Sequence, residues 1–164
     1  MVRLKWSHFS FACLKSPYTS NRSSQLTAEV IVELDGKRWY KTGDKGHLDA
    51  DGFLTIVDRY SRFAKIGGEM ISLGAIEGAI GRLLPEDVEI VATALPDGRK
   101  GEKVALLVAG GMLLEELQRL IEQSGLNPLM RPAQIIPVDA IPKLGSGKSD
   151  FKRAKQIALE GVTA

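Results

Sequence analysis

From Thr27 onward, short apolar runs alternate with turn residues in the rhythm of strands and brief helices. Ala28–Leu34 reads as a strand or a short helix, because periodicity alone does not separate the two. Asp35-Gly36 marks a turn, and Trp39-Tyr40 opens another extended piece. Asp51-Gly52 running into Phe53–Val57 is a hairpin signal. Phe63–Ile66 and Met70-Ile71 flank Gly67-Gly68 and predict a second hairpin. Leu73, Ile76, Ile80, Leu83 and Leu84 share one helical face, with Ser72 as N-cap and Pro85 as the stop. Val88–Leu95 and Lys103–Ala109 read as buried strands joined through Pro96-Asp97-Gly98. Leu113, Leu114, Leu117, Leu120 and Ile121 predict a second amphipathic helix, closed near Gly125 and Pro128. A short third strand over Gln134–Val138 and a last helix from about Phe151 complete the pattern. The order predicts an α+β fold, a small sheet covered by helices.

Residues 1–25 break this rhythm. They hold six Ser, one Thr and scattered aromatics with no period, and they carry Arg3, Lys5, Lys15 and Arg22 without an acid. Against a total charge of +2, the rest of the chain is therefore net −2, too balanced to make nucleic acid a main partner. The segment reads as a disordered tail or as a leader not native to the domain. Hydrophobic residues at 44% and charged residues at 26% of 164 describe an ordinary globular chain. A lone cysteine, Cys13, excludes an internal disulfide, and with only His8 and His47 no spacing suggests a metal site. No apolar run approaches the length of a transmembrane segment, and a reducing cytoplasmic setting fits the cysteine usage.

Three segments set polar residues among glycines. In Trp39–Asp44, a carboxylate after a glycine near a strand end suits a vicinal diol such as a ribose, although Gly-Asp is also an ordinary turn. In Asp58–Ser72, Gly67-Gly68 permits close backbone approach or positive φ, as does a plain hairpin turn on a basic face. Pro142–Asp150 contains Gly-Lys-Ser, yet a phosphate-binding loop of the Walker type would need glycine where Pro142 stands. What remains is a flexible loop presenting the Lys148 ammonium, to an anion or simply to water.

In this order and at these separations, the three segments resemble the last motifs of the adenylate-forming superfamily, from about Leu26 to Phe151. The superfamily includes acyl- and aryl-CoA synthetases, peptide-synthetase adenylation domains and luciferases. Arg62–Leu73 together with Leu144–Asp150 is most similar to the acyl–acyl-carrier-protein synthetase / 2-acylglycerophosphoethanolamine acyltransferase branch.

The resemblance implies three regions: a non-matching leader (1–25), a terminal β segment of the large N-terminal domain (26–60) and a C-terminal lid domain (61–164). It implies that Asp44 and Arg59 contact the ATP or AMP ribose side. Lys148 would serve adenylation. Lys65, Gly67, Gly68 and Glu69 would form the loop beside a pantetheine thiol. Tyr60 and Ser61 fall at the hinge, where the family commonly has Asp or Lys at the position of Ser61. ATP with Mg2+, a fatty acid, and CoA or the phosphopantetheine of acyl carrier protein are the implied ligands. The phosphate loop and acid pocket of the missing large domain have no counterpart in residues 1–25. The expectation is thus a truncated or mis-started piece of a ligase, cytoplasmic or membrane-peripheral within a larger protein and inactive alone. A stand-alone lid-like module docking on a separate large domain or carrier protein is the alternative, and a folded relic is a third.

Overall fold

A computed structural model describes residues 10–12, 30–34 and 36–161. The chain divides into two units, Met1–Ser61 and Arg62–Ala164.

In the first unit, β1 (Ser10–Ala12), β2 (Ile31–Leu34) and β3 (Lys37–Lys41) form an antiparallel sheet with β3 at its centre. Strand pairing settles the ambiguity of Ala28–Leu34 in favour of extended backbone over Ile31–Leu34, with Val32 opposite Trp39. Cross-strand bonds are non-local, so they were invisible to periodicity. The leader differs from a wholly disordered tail at Ser10–Ala12, which pair with β3; the rest of it lies outside the described residues. Strands β4 (Asp44–Leu48) and β5 (Leu54–Arg59) make the expected hairpin. Its loop is closed by Asp49, whose Oδ1 accepts from the amides of Asp51 at 3.0 Å and Phe53 at 2.8 Å.

The second unit opens on the 3-10 turn Tyr60–Arg62, which begins in the first. A mixed sheet follows: β6 (Phe63–Ile66) and β7 (Glu69–Ser72) form a hairpin, and β8 (Glu89–Asp97) pairs with β9 (Gly101–Ala109) over their full length. The other edge of β9 takes β6 at Gly101 and, in parallel, β10 (Gln134–Pro137) along Ala105–Val108. Helices α1 (Leu73–Gly81), α2 (Leu114–Gln123) and α3 (Phe151–Glu160) cover the sheet.

Alternation on β8 and β9 divides the core. Ala92, Ala94, Val104, Leu106 and Val108 pack with Ile76 and Ile80 of α1 and Leu117 and Ile121 of α2. Val91, Leu95, Ala105, Leu107 and Ala109 pack with Ile141 and with Ala154 and Ala158 of α3. A strand buried on both faces must be apolar throughout, which is why these two strands read as continuous hydrophobic runs. Ser72 caps α1, its hydroxyl accepting from the Ala75 amide at 3.1 Å. The helix stops at Gly81, ahead of Pro85, with Gly78 and Gly81 lowering its propensity. Leu83 consequently lies past the helix and is exposed, as are Leu113 and Leu114 at the start of α2.

Among the described residues, Arg62 and Thr93 are the buried polar side chains. The Arg62 guanidinium pairs with Glu77 of α1 through Nη2 and donates through Nη1 to the Ala92 carbonyl at 3.3 Å. The second Glu77 oxygen accepts from the Ala92 amide at 2.7 Å, so one edge position of β8 closes a ring with both charges. The Arg62 Cζ also lies 3.7 Å from the centroid of the Phe151 ring.

The Gly98–Lys100 turn is held by Asp97, whose Oδ1 accepts from the amides of Lys100 at 2.8 Å and Arg99 at 2.9 Å. Those two amides, chiefly that of Lys100, hold its carboxyl below the ordinary value of 3.8, with help from the charges of Lys103 and Lys100.

Two outcomes follow for stability. Glu77→Ala leaves a buried guanidinium without its carboxylate and should destabilise the chain by about 3 kcal/mol in urea unfolding; the Arg62→Met/Glu77→Met double variant should lose less. Because the Asp97 pKa is lowered on folding, its contribution is present above 3.8 and is lost as pH falls through the folded value. Asp97→Asn should therefore lower the urea midpoint at neutral pH, and the gap to the parent should narrow as the pH falls below 3.8.

Candidate functional site

The sequence-predicted site residues fall into three places, two of them in the second unit. In the first unit, Asp44 and Arg59 are cross-strand partners at the open end of the β4–β5 hairpin. Their side chains meet at 3.6 Å between Arg59 Nε and Asp44 Oδ1, with Arg59 73% and Asp44 27% exposed. So exposed a pair contributes little to stability, and its groups are accessible to a ligand. The Asp44 amide donates to Thr42 Oγ1 at 3.2 Å, and the Tyr60 amide donates to the Gly43 carbonyl at 2.6 Å. The register shifts between Lys45 and Gly46, and a Cβ on Gly46 would stand 2.4 Å from the Thr55 carbonyl oxygen. Glycine there permits the irregularity that sets Asp44 opposite Arg59.

In the second unit, Lys65, Gly67, Gly68 and Glu69 gather on the β6–β7 turn. Gly67 has φ 59° and Gly68 φ 90°, two successive left-handed residues of the kind a tight hairpin requires. An added Cβ at either position meets nothing within 4 Å, so conformation and not crowding demands glycine. The Gly67 amide donates to the Lys100 carbonyl at 2.9 Å, which ties this turn to the one shaped by Asp97. The Lys65 amide donates to Glu102 Oε2 at 2.6 Å, while the side chains of Lys65 and Glu69 are exposed.

Lys148 lies in the loop between β10 and α3. Its base is closed by the Lys143–Ser149 bridge and by the Asp150 amide donating to the Pro142 carbonyl at 2.7 Å. Within it, the Leu144 amide donates to the Lys148 carbonyl at 2.7 Å and the Gly147 amide to the Leu144 carbonyl at 2.8 Å. The Lys148 side chain is exposed and has no acidic partner among the described residues.

The loops of the second unit occupy opposite ends of the β8–β9 ladder. The Gly67 turn adjoins Lys100 and Gly101, where β8 turns into β9. The Lys148 loop rises from the far end, where Lys143 Nζ pairs with Glu89 Oε1 at 2.6 Å and Glu89 faces Ala109. Nine residues of strand separate these ends, about 26 Å at the usual rise.

Sequence reasoning assigned no role to Glu77 or Phe151 and used Arg62 only as part of a motif. A usable signal was present: Glu77 is the one charged residue in Leu73–Gly81, an otherwise apolar helix. A lone acid on a short apolar helix calls for a buried cation.

No protein-family model matches the chain. Over 119 residues, 72% of the chain, it is 39% identical to the 2-succinylbenzoate–CoA ligase of Listeria monocytogenes serovar 1/2a and spans 25% of that protein. It is 37% identical over 130 residues to phenyloxazoline synthase MbtB of Mycobacterium sp. (strain MCS), with 76% of this chain and 11% of the relative covered. Among solved structures, o-succinylbenzoate CoA synthetase (MenE) from Bacillus subtilis, in complex with the acyl-adenylate intermediate OSB-AMP, matches with a TM-score of 0.66 at 28% identity. That match covers 82% of this chain and 27% of the other. ATP-bound MatB from Rhodopseudomonas palustris shares the fold, with a TM-score of 0.68 at 22% identity over 87% of this chain and 28% of its own. The chain thus spans about a quarter or less of the curated relatives it matches. By homology and fold, the chain belongs to the adenylate-forming superfamily of acyl-CoA synthetases and AMP-binding enzymes, whose C-terminal portion it fits.

Proposed function

We propose that this chain is the C-terminal lid portion of an ATP-dependent fatty acid–thiol ligase, and that its two glycine-bearing loops serve successive half-reactions. The observation that carries this reading is the placement of the Lys148 loop and the Gly67-Gly68 turn at opposite ends of one nine-residue strand, which is about 26 Å long at the usual rise. At that separation both loops do not serve one reacting centre at once. A lid that turns about a hinge brings each in its turn. Ser61, between the two units, is the hinge position, and its small side chain tolerates the change in φ and ψ.

In the first half-reaction the acid's carboxylate oxygen attacks the α-phosphorus of ATP and pyrophosphate leaves. Two anions must meet, and the Lys148 ammonium offsets their repulsion where water is excluded. Asp44 accepts from the ribose hydroxyls, with Arg59 beside it on the nucleotide. Mg2+ enters with the nucleotide phosphates, and no residue of this chain is assigned to hold it. In the second half-reaction the pantetheine thiolate attacks the acyl carbonyl carbon and AMP leaves. Gly67 and Gly68, with no side chain and open space where a Cβ would stand, line the thiol's approach between Lys65 and Glu69.

The partner of this chain is the large domain that carries the remaining nucleotide and acid contacts, and to which the segment 26–60 would belong. Support comes from β5 and its loop, where Phe53 is 71% exposed and Ile56 and Val57 are exposed as well, an apolar set suited to cover by protein. The choice of fatty acid as substrate and of acyl carrier protein over CoA as acceptor rests on the wording of Arg62–Leu73 and Leu144–Asp150.

Two outcomes test the reading. The 164-residue chain alone should give no ATP–pyrophosphate exchange with any fatty acid, and robust exchange would overturn the proposal. In a polypeptide that also carries the large domain, Lys148→Ala should slow adenylation about 100-fold or more and leave thiol transfer from preformed acyl-adenylate within about tenfold. Gly68→Trp should show the reverse pattern, and equal losses in both half-reactions would refute the two-loop lid.

A further inference from the structure

We infer that Arg62 is a positioning residue for the Lys148 loop, which it holds to the body of the unit by stacking on Phe151. The functional meaning rests on the ligase reading, whereas the mechanical coupling does not. Ile141 on one side of the loop and Ala154 on the other are buried, at 5% and 0% exposure. Between them, the segment meets the rest of the unit through an ion pair and a ring contact. One is the exposed pair of Lys143 and Glu89, a weak tether by its solvation. The other is the Phe151 ring, with the Arg62 guanidinium 3.7 Å from its centroid.

The second tether is stronger because its cation is already ordered. Arg62 is 6% exposed and is oriented by Glu77 and the Ala92 carbonyl, so stacking immobilises no further side chain on that partner. Phe151 passes this order back along the chain. It follows Asp150, whose amide closes the loop on Pro142 and whose Oδ1 caps α3 by accepting from the Arg153 amide at 3.0 Å. Arg62 also follows Ser61 directly, so one side chain links the start of the second unit to the loop bearing Lys148. A turn of the lid about Ser61 would carry Lys148 with it.

The test is amide hydrogen exchange by NMR on the 164-residue chain and on Phe151→Leu and Phe151→Trp. Phe151 is 43% exposed, so both variants keep the core. Phe151→Leu retains apolar bulk but not the aromatic face. It should speed exchange of the Leu144, Gly147 and Asp150 amides by about threefold to thirtyfold, with β8 and β9 amides little changed. Phe151→Trp should restore loop protection. Unchanged loop amides in Phe151→Leu, a rise matched by β8 and β9, or a failure of Trp to outdo Leu would each overturn the inference. The Lys148→Ala half-reaction assay separates the two ideas. A loosened loop with intact Lys148→Ala adenylation would uphold the coupling and defeat the ligase reading, and the converse pair of results would do the opposite.

Discussion

Burying a guanidinium is the demand around which the second unit is arranged. A charge removed from water needs a counter-charge and oriented acceptors, and Arg62 finds both in Glu77 and the Ala92 carbonyl. Strand β8 has β9 as its strand partner, and its other edge carries backbone groups that a sheet would leave open. The Arg62–Glu77 pair meets those groups at Ala92, and so α1 is docked on the edge by charge as well as by Ile76 and Ile80. Phe151 adds α3 to the same cation. Three elements, α1, β8 and α3, therefore converge on one side chain that follows the boundary between the units.

Such a core makes the second unit a body whose loops are held at fixed separation. The Gly67-Gly68 turn is set by its left-handed backbone and by the bond to Lys100, itself placed by Asp97. The Lys148 loop is closed at its base by main-chain bonds and stands at the other end of the ladder. When packing resists deformation within a unit, motion concentrates where packing is thin. On the proposed reading, Ser61 at the boundary between the units is that place.

The first unit shows a different economy. Asp44 and Arg59 are joined by strand register, and their contact is too exposed to hold the hairpin together. The fold here is organised by main-chain pairing and by the Asp49 turn. The Asp44 and Arg59 side chains are thereby left accessible, while apolar residues of β5 remain uncovered by its own small sheets.

Much of this was determined by sequence alone. The Gly67-Gly68 turn, the Ser72 cap, the two buried strands and the start of α3 were legible because glycine stereochemistry, capping and alternation act over a few neighbouring residues. The order of the three polar segments likewise led to the superfamily that homology supports. Tertiary structure alone decided that Ile31–Leu34 is a strand and that Arg62 is buried. It also decided that Lys148 and Gly68 belong to opposite ends of one ladder. These depend on partners far along the chain: Trp39 for Val32, Glu77 and Phe151 for Arg62, Lys100 and Glu89 for the two loops. Local spacing shows which residue can turn, cap or alternate. Only the folded chain shows which distant charge or ring it meets, because burial and long-range pairing arise when the whole sheet assembles.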